Sequence, residues 1–109
     1  MPNSKSAQSA LDMLILTILS RRGPSHGYGI ANAIQQVSEE ALRVEEGSLY
    51  PALHRMEEAG WLKSHWGDSE NNRRAKYYTL TRTGRHQLNI ETKDWQRVAL
   101  GIGSALRAT

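Results

Sequence analysis

The sequence predicts a mainly α-helical fold that contains one small β-hairpin. Three observations lead to this prediction. Hydrophobic residues recur with helical spacing in three successive segments, two short aromatic-rich segments separated by turn residues follow them, and a heptad-like hydrophobic pattern ends the chain. The chain has 109 residues, which is an ordinary length for a single domain. We therefore expect one domain with a long final helix.

The first helix is predicted to begin near Ser9, where a hydrophobic stripe starts. Ser9 and Asp12 resemble a capping box, in which two side chains bond the backbone of the first helical turn. Gly23 and Pro24 end the helix, because both residues favour helix termination. The preceding residues, 1–8, are polar and are expected to form a flexible N-terminus. The stripe comprises Leu11, Leu14, Ile15, Ile18 and Leu19.

Two further helices are predicted in the next part of the chain. A turn at residues 25–27 leads into the second helix, which is expected to end near residues 38–41. The third helix is expected from about Glu46 to Ala59, with Gly60 as its stop signal. The hydrophobic stripe of the second helix comprises Ile30, Ala33, Ile34 and Val37. The buried face of the third comprises Leu49, Leu53 and Met56.

A β-hairpin and a long helix complete the predicted fold. Trp61 to Trp66 and Ala75 to Leu80 are predicted strands, joined by a loop at residues 67–72. The last helix opens near Thr81. Its heptad-like seam, spaced by alternate fours and threes, comprises Leu88, Thr92, Trp95, Ala99, Ile102 and Leu106.

The order of these elements is typical of a winged helix-turn-helix. We assign residues 9–81 to that DNA-binding domain and residues 82–109 to a C-terminal dimerisation helix. Gly101 and Gly103 lower the helix propensity of the final turns, so we expect a partner helix to contribute to their order.

The charge distribution indicates a polyanionic partner. Residues 39–58 hold six acidic residues and two arginines, whereas residues 61–86 hold six lysines and arginines and two acidic residues. A local positive patch of this kind is typical of nucleic-acid binding. We therefore predict double-stranded DNA as the partner.

Composition and motifs exclude several other classes of protein. The chain has no cysteine, which excludes disulfide scaffolds and thiolate metal sites. A membrane-spanning segment and a signal peptide are not predicted, so we expect a cytoplasmic protein with no membrane partner. His26, His54, His65 and His86 lack metal-ligand spacing. We predict no catalytic residue, no metal and no cofactor.

The exposed face of the third helix is the predicted DNA-recognition surface. Recognition helices enter the major groove with their amino end first. The side chains expected to face base edges and adjacent phosphates are Ser48, Tyr50, Pro51 and His54. The alternative is that Tyr50 packs on the second helix and that His54 is an ordinary surface residue.

The hairpin is predicted to be a DNA-binding wing. Its tip and the strand beyond it carry Asn72, Arg73, Arg74 and Lys76. Such a wing follows the phosphate backbone or places arginine in a narrow minor groove. Tyr28, at the start of the second helix, is expected to contact phosphate as well. The alternative is a charged loop that only improves solubility.

Trp95 has two interpretations because it lies in the middle of the final seam. In a dimer, two such indoles would approach each other and could enclose a cavity for a flat aromatic ligand. The alternative, which we favour from the sequence, is that Trp95 fills the dimer core. Trp61 and Trp66 are expected to be core or hinge residues of the wing.

These motifs resemble those of PadR-family transcriptional regulators. Residues 23–30 resemble the entry to the second helix of that family, residues 46–57 its recognition helix, and residues 74–84 its wing and exit. Residues 69–76, together with Trp95, resemble the short acidobacterial-type subgroup in particular.

The resemblance covers about residues 9–107. It implies a homodimer that assembles through the C-terminal helix, usually a repressor, bound to a roughly palindromic operator. Some short family members hold planar aromatic drugs between paired tryptophans, and Trp95 resembles that position.

The sequence therefore predicts a homodimeric, sequence-specific DNA-binding regulator. One alternative is a sensor of small aromatic effectors whose main site is the cavity at Trp95. Another is a winged-helix module that binds protein through the acidic residues 39–58 and does not read DNA. The basic wing favours DNA, because a protein-binding module has no need for it.

Overall fold

The computed structural model describes residues 7–108. It confirms the predicted architecture, in which helices surround a small antiparallel sheet. The elements, in chain order, are α1 (Ala7–Arg22), β1 (Ser25–His26), α2 (Gly27–Val37), α3 (Glu46–Glu58), β2 (Leu62–Asp68), β3 (Arg74–Leu80) and α4 (Arg82–Arg107).

The hydrophobic core lies between α1, α2, α3 and the inner ends of β2 and β3. Ile15 and Leu16 of α1 are fully buried, because α1 contacts α2, α3, β3 and α4. Leu53 of α3 is also fully buried. Leu11 and Leu14, at the edge of the predicted stripe, are partly buried against this core. The remaining fully buried large side chains are Ile18, Leu19, Ile30, Ile34, Leu49 and Met56.

The beginning of α1 differs from the prediction. The helix starts at Ala7, so residues 7 and 8 are helical, and residues 1–6 lie outside the described part of the chain. Asp12 does not form the expected capping box. It is 8 % exposed and accepts two hydrogen bonds from Arg55 of α3. Ser9 lies inside α1 rather than at its N-cap, and the Asp12 carboxylate joins α1 to α3.

Where a turn was predicted at residues 25–27, Ser25 and His26 form a short strand and Gly27 begins α2. β1 is antiparallel to β3, with Ser25 opposite Tyr78 and His26 opposite Tyr77. The sheet order is therefore β1-β3-β2. The extended backbone of His26, which is also the N-cap of α2, allows this pairing. β1 therefore covers β3 at Tyr77 and Tyr78.

The hairpin has regular pairing from the core to its tip. Leu62 faces Leu80 at the inner end and Trp66 faces Lys76 farther out. Asn72 closes the tip with a φ of 60°, in the left-handed region that asparagine tolerates. Both strands are longer at the tip than predicted, so the wing projects from the core.

The first turn of the final helix packs closely against the backbone of Trp61. Thr81 caps α4 by accepting a hydrogen bond from Gly84 N–H. A Cβ atom at Gly84 would lie 2.1 Å from the carbonyl oxygen of Trp61, so only glycine fits there. The helix continues through Gly101 and Gly103 to Arg107. Within residues 7–108, no helix has both the length and the hydrophobicity needed to cross a membrane.

Candidate nucleic-acid interface

The third helix presents its predicted face to solvent. Leu49 and Leu53 are buried on its inner side, whereas Ser48, Pro51 and His54 are exposed. The face is accessible because α3 lies at the surface of the helical core and its hydrophobic residues occupy a single side.

Tyr50 packs on α2, as the alternative interpretation expects, and is also partly exposed. Its ring packs against the backbone of Gly27 at the start of α2, where a Cβ atom would lie 2.8 Å from the ring. The side chain is nevertheless 46 % exposed. The packing fixes the direction of the ring, and the exposed part faces the wing.

His54 lies on the open surface of α3. Its Nε2 atom is 3.5 Å from Glu58, one turn later, and both side chains are more than two-thirds exposed. An exposed pair of this kind contributes little to stability, so His54 has no evident structural role at this position.

The start of α2 borders the wing. His26 caps the helix, since its Nδ1 accepts the Gly29 N–H at 3.0 Å, while its Nε2 lies 3.8 Å from Glu70 in the wing loop. Tyr28 follows and is 71 % exposed. The amino end of a helix carries a partial positive charge, which suits a nearby phosphate.

The tip of the wing carries exposed cations. Asn72, Arg73 and Arg74 are all exposed. The Arg74 guanidinium lies over the indole of Trp66, 5.8 Å from its centroid. Trp66 is 60 % exposed, so the expectation that it is a core or hinge residue is wrong. Trp61 does pack partly buried against the core.

Lys76 lies deeper in the wing and contacts α3. Its Nζ atom is 3.4 Å from Oε1 of Glu57, and Ser64 Oγ donates to the other carboxylate oxygen at 2.6 Å. The Ser64 hydrogen bond, together with the charge of Lys76, lowers the pKa of the Glu57 carboxyl. The carboxylate therefore links α3 to both strands of the hairpin.

Residues from the start of α2, Tyr50 of α3 and the wing border a groove of about 520 Å³. The structure brings together five of the predicted DNA-binding residues along it, namely Tyr28, Tyr50, Arg73, Arg74 and Lys76. Ser48 and Pro51 border a different groove, between α1 and α3. The groove beside the wing has the mixture of cations and aromatic rings that suits a sugar–phosphate backbone.

Sequence reasoning missed Glu57, Ser64 and Trp66 as members of this region. The alternation of strand residues was the available signal. Side chains two residues apart share one face of a strand, so Lys76 lies on the same face as Tyr78, which is 5 % exposed. Burial raises the pKa of the Tyr78 hydroxyl.

The predicted seam of α4 divides into two parts. Leu88, Thr92 and Trp95 border a second groove with Met13 and Thr17 of α1, and Trp95 is partly buried there. Farther along, α4 extends beyond the core. The exposed large hydrophobic residues in this second half of α4 are Leu100 (71 %), Ile102 (56 %) and Leu106 (75 %).

Comparisons with known proteins agree with this architecture. A family model described as the transcriptional regulator PadR-like family matches residues 15–90. A PadR family transcription regulator from hypervirulent Clostridium difficile is 35 % identical, with a TM-score of 0.71 over 88 % of this chain and 97 % of its own.

Two further solved structures cover the chain at least as fully. A transcriptional regulator from Clostridium thermocellum is 29 % identical, with a TM-score of 0.77 over 89 % of this chain and 93 % of its own. A PadR-like transcriptional regulator from Bacillus cereus is 26 % identical, with a TM-score of 0.78 over 97 % of this chain and all of its own.

The family consists of DNA-binding transcriptional regulators, and neither the family nor these structural neighbours are enzymes. The match spans the helix-turn-helix, the wing and the start of the last helix. The chain therefore belongs to the transcriptional regulator PadR-like family.

Proposed function

We propose that the protein is a sequence-specific DNA-binding regulator that acts as a homodimer. The observation that carries this proposal is the groove that the start of α2 and Tyr50 of α3 form with the basic wing. Two copies would present two recognition helices to half-sites about one helical turn, ~34 Å, apart. The operator would accordingly be a rough palindrome.

Within this proposal, residues of α3 read bases and residues around the wing hold phosphates. The reading residues are Ser48, Tyr50, Pro51 and His54, which offer hydroxyl, imidazole and apolar surface at the amino end and centre of α3. The phosphate contacts are Tyr28, Asn72, Arg73, Arg74 and Lys76. Exposure of most of these side chains supports the assignment.

Dimerisation is assigned to the last helix, residues 82–109, and DNA binding to residues 9–81. The supporting observation is the apolar surface on the second half of α4, where Ile102 and Leu106 are exposed. A surface of this kind on a small protein usually marks an interaction site. The proposed interface comprises Leu88, Thr92, Trp95, Ala99, Ile102 and Leu106.

The finer biological assignment follows the resemblance of the sequence. We assign the chain to the short acidobacterial-type subgroup, as a repressor acting on DNA in the cytoplasm. The motif at residues 69–76 and Trp95 support the subgroup.

Selection from a random duplex library by the purified protein, at near-physiological salt, tests sequence-specific binding. Enrichment of an inverted repeat is the expected result, because a symmetric dimer reads symmetric half-sites. A folded protein that enriches no sequence would contradict base reading by Ser48, Tyr50 and His54.

A second candidate function is the sensing of a flat aromatic effector. The favouring observation is the groove between α1 and α4, in which Trp95 is partly buried beside apolar side chains. Quenching of tryptophan fluorescence by planar aromatic cations, lost in Trp95→Ala, is the expected result. A panel of such compounds that leaves the fluorescence unchanged would contradict it.

A further inference from the structure

The Glu57 carboxylate occupies an unusual position for an acid in a DNA-binding protein. It lies on α3 and contacts Lys76, which borders the groove that we assign to DNA, and a negative charge near that groove opposes the approach of phosphate. Both of its oxygens have partners on the wing, Lys76 on β3 and Ser64 on β2. The acid is therefore held in place rather than extended into solvent.

The surroundings of this group are partly shielded from water. The Glu57 side chain is 30 % exposed and that of Lys76 is 38 % exposed. The Lys76 ammonium also lies 5.8 Å from the centroid of the Tyr78 ring. Ion pairs in such a setting are screened less by salt than pairs on the open surface. The carboxylate stays ionised at neutral pH, since its pKa is lowered.

We propose that Glu57 is a positioning residue for DNA binding, whose carboxylate holds the Lys76 ammonium at the groove for contact with a DNA phosphate. Ser64 fixes the carboxylate by its hydrogen bond. This inference rests on the proposed function, because it assumes that the groove receives DNA.

The chemistry of lysine explains how Glu57 would help Lys76 to bind a phosphate. A lysine side chain has four rotatable bonds, and ordering it on binding costs side-chain entropy. Its ammonium has three N–H donors, so one bond to Glu57 leaves two for phosphate. Glu57 pre-organises the lysine before DNA arrives, and this gain outweighs the repulsion between carboxylate and phosphate.

The direction in which one mutation changes DNA affinity distinguishes this proposal from a purely electrostatic effect of Glu57. Glu57→Gln keeps the shape of the side chain and removes one negative charge. If Glu57 were only a surface acid, its removal would strengthen DNA binding. If it positions Lys76, Glu57→Gln weakens binding by about five- to tenfold, the size of coupling typical of contacting groups.

A double-mutant cycle completes the test. The probe is a mixed-sequence DNA duplex at low salt, because a phosphate contact does not require a particular sequence. In the Lys76→Met background there is no lysine for Glu57 to position. Glu57→Gln then only removes a negative charge and is expected to strengthen DNA binding slightly. Glu57→Gln that strengthens binding in both backgrounds, or weakens it equally in both, would overturn the proposal.

Ser64→Ala provides a second variant that leaves both charges in place. Its expected effect is a smaller loss of affinity, about twofold, since the carboxylate loses its 2.6 Å hydrogen bond. An unchanged affinity for Ser64→Ala would contradict the role of Ser64. If thermal unfolding shows that Glu57→Gln is not folded, Ser64→Ala takes its place in the test. Wild-type protein that fails to bind the duplex would instead overturn the proposed function itself.

Discussion

Asp12 of α1 and Arg55 of α3 form a bidentate ion pair, with N–O distances of 2.7 and 2.9 Å. The Asp12 side chain is 11 % exposed and that of Arg55 is 38 % exposed. The hydrogen bonds that Arg55 donates to Asp12 raise the pKa of the Arg55 guanidinium. The pair connects the central helix of the core to the helix that carries the proposed reading residues.

Arg55→Ala is expected to destabilise the protein, because it leaves the Asp12 carboxylate nearly buried without its cation. The expected loss in the free energy of unfolding is about 2 kcal/mol, below the range for fully buried pairs because Arg55 is partly exposed. Urea denaturation measures it. The double variant Asp12→Leu/Arg55→Leu should recover most of the loss, and a double variant as unstable as Arg55→Ala would contradict this explanation.

The ion pair also shows what the sequence can predict about this fold. The hydrophobic spacing of α1 and α3 predicted both helices, because burial of one face requires it. The pairing of Asp12 with Arg55 depends on how α1 and α3 pack across 43 positions of sequence. Local spacing carries no information about such a contact, and it suggested a capping box instead.

The same limit applies to the candidate site. The exposed face of α3 and the basic wing follow from periodicity and charge, so Ser48, His54 and Arg74 could be named from the sequence. The link from Glu57 to the hairpin could not, because it depends on the angle between α3 and the sheet. Strand β1 was missed since two residues give no periodic signal.

Gly84→Ala is expected to destabilise the junction between the wing and α4. The added Cβ atom would lie 2.1 Å from the Trp61 carbonyl oxygen, so the backbone must shift, at a cost of about 2–3 kcal/mol. Gly101→Ala is the matched control within the same helix, since its Cβ position has no atom within 4 Å apart from the adjacent residues and the nearby backbone of the helix itself. It should stabilise the helix by about 0.5–1 kcal/mol. Thermal unfolding of both variants tests the contrast, and a stable Gly84→Ala would contradict it.

The link between Glu57 and the hairpin is expected to weaken in acid. The pKa of Glu57 is lowered from its usual value of 4.5, first by the Ser64 hydrogen bond. Its stabilising contribution is therefore fully present above about pH 4.5 and is lost as the pH falls through the lower pKa of the folded state.

Comparison with Glu57→Gln isolates this contribution. The difference in unfolding free energy between wild type and variant should be larger near neutral pH than in acid below the lowered pKa of the folded Glu57 carboxyl. Glu58→Gln is the control, because Glu58 is 71 % exposed on the same helix. A difference for Glu57→Gln that stays constant with pH would contradict the assigned ionisation.

Replacement of Arg74 and Lys76 by alanine is expected to weaken binding to all DNA sequences alike. Each phosphate contact releases counterions, so the slope of log affinity against log salt should decrease by about one unit per lost contact. Fluorescence anisotropy over a salt series measures the slope. Lys63→Ala removes a charge from the opposite face of the same hairpin and should leave the slope unchanged. A double variant with the wild-type slope would exclude the wing from the interface.

Dimerisation through the proposed seam predicts that Leu106→Asp and Trp95→Asp produce monomers, because each places a carboxylate in an apolar interface. Leu106 is the cleaner position, since it is 75 % exposed in the single chain and its replacement does not disturb the core. Leu100→Asp is the matched control. Leu100 is 71 % exposed but lies about 120° away from Leu106 around α4. The Leu100→Asp variant should therefore keep the mass of the dimer. Light scattering measures the mass. A dimeric Leu106→Asp variant would contradict the proposed seam. A monomeric Leu100→Asp variant would place the interface on another face of α4.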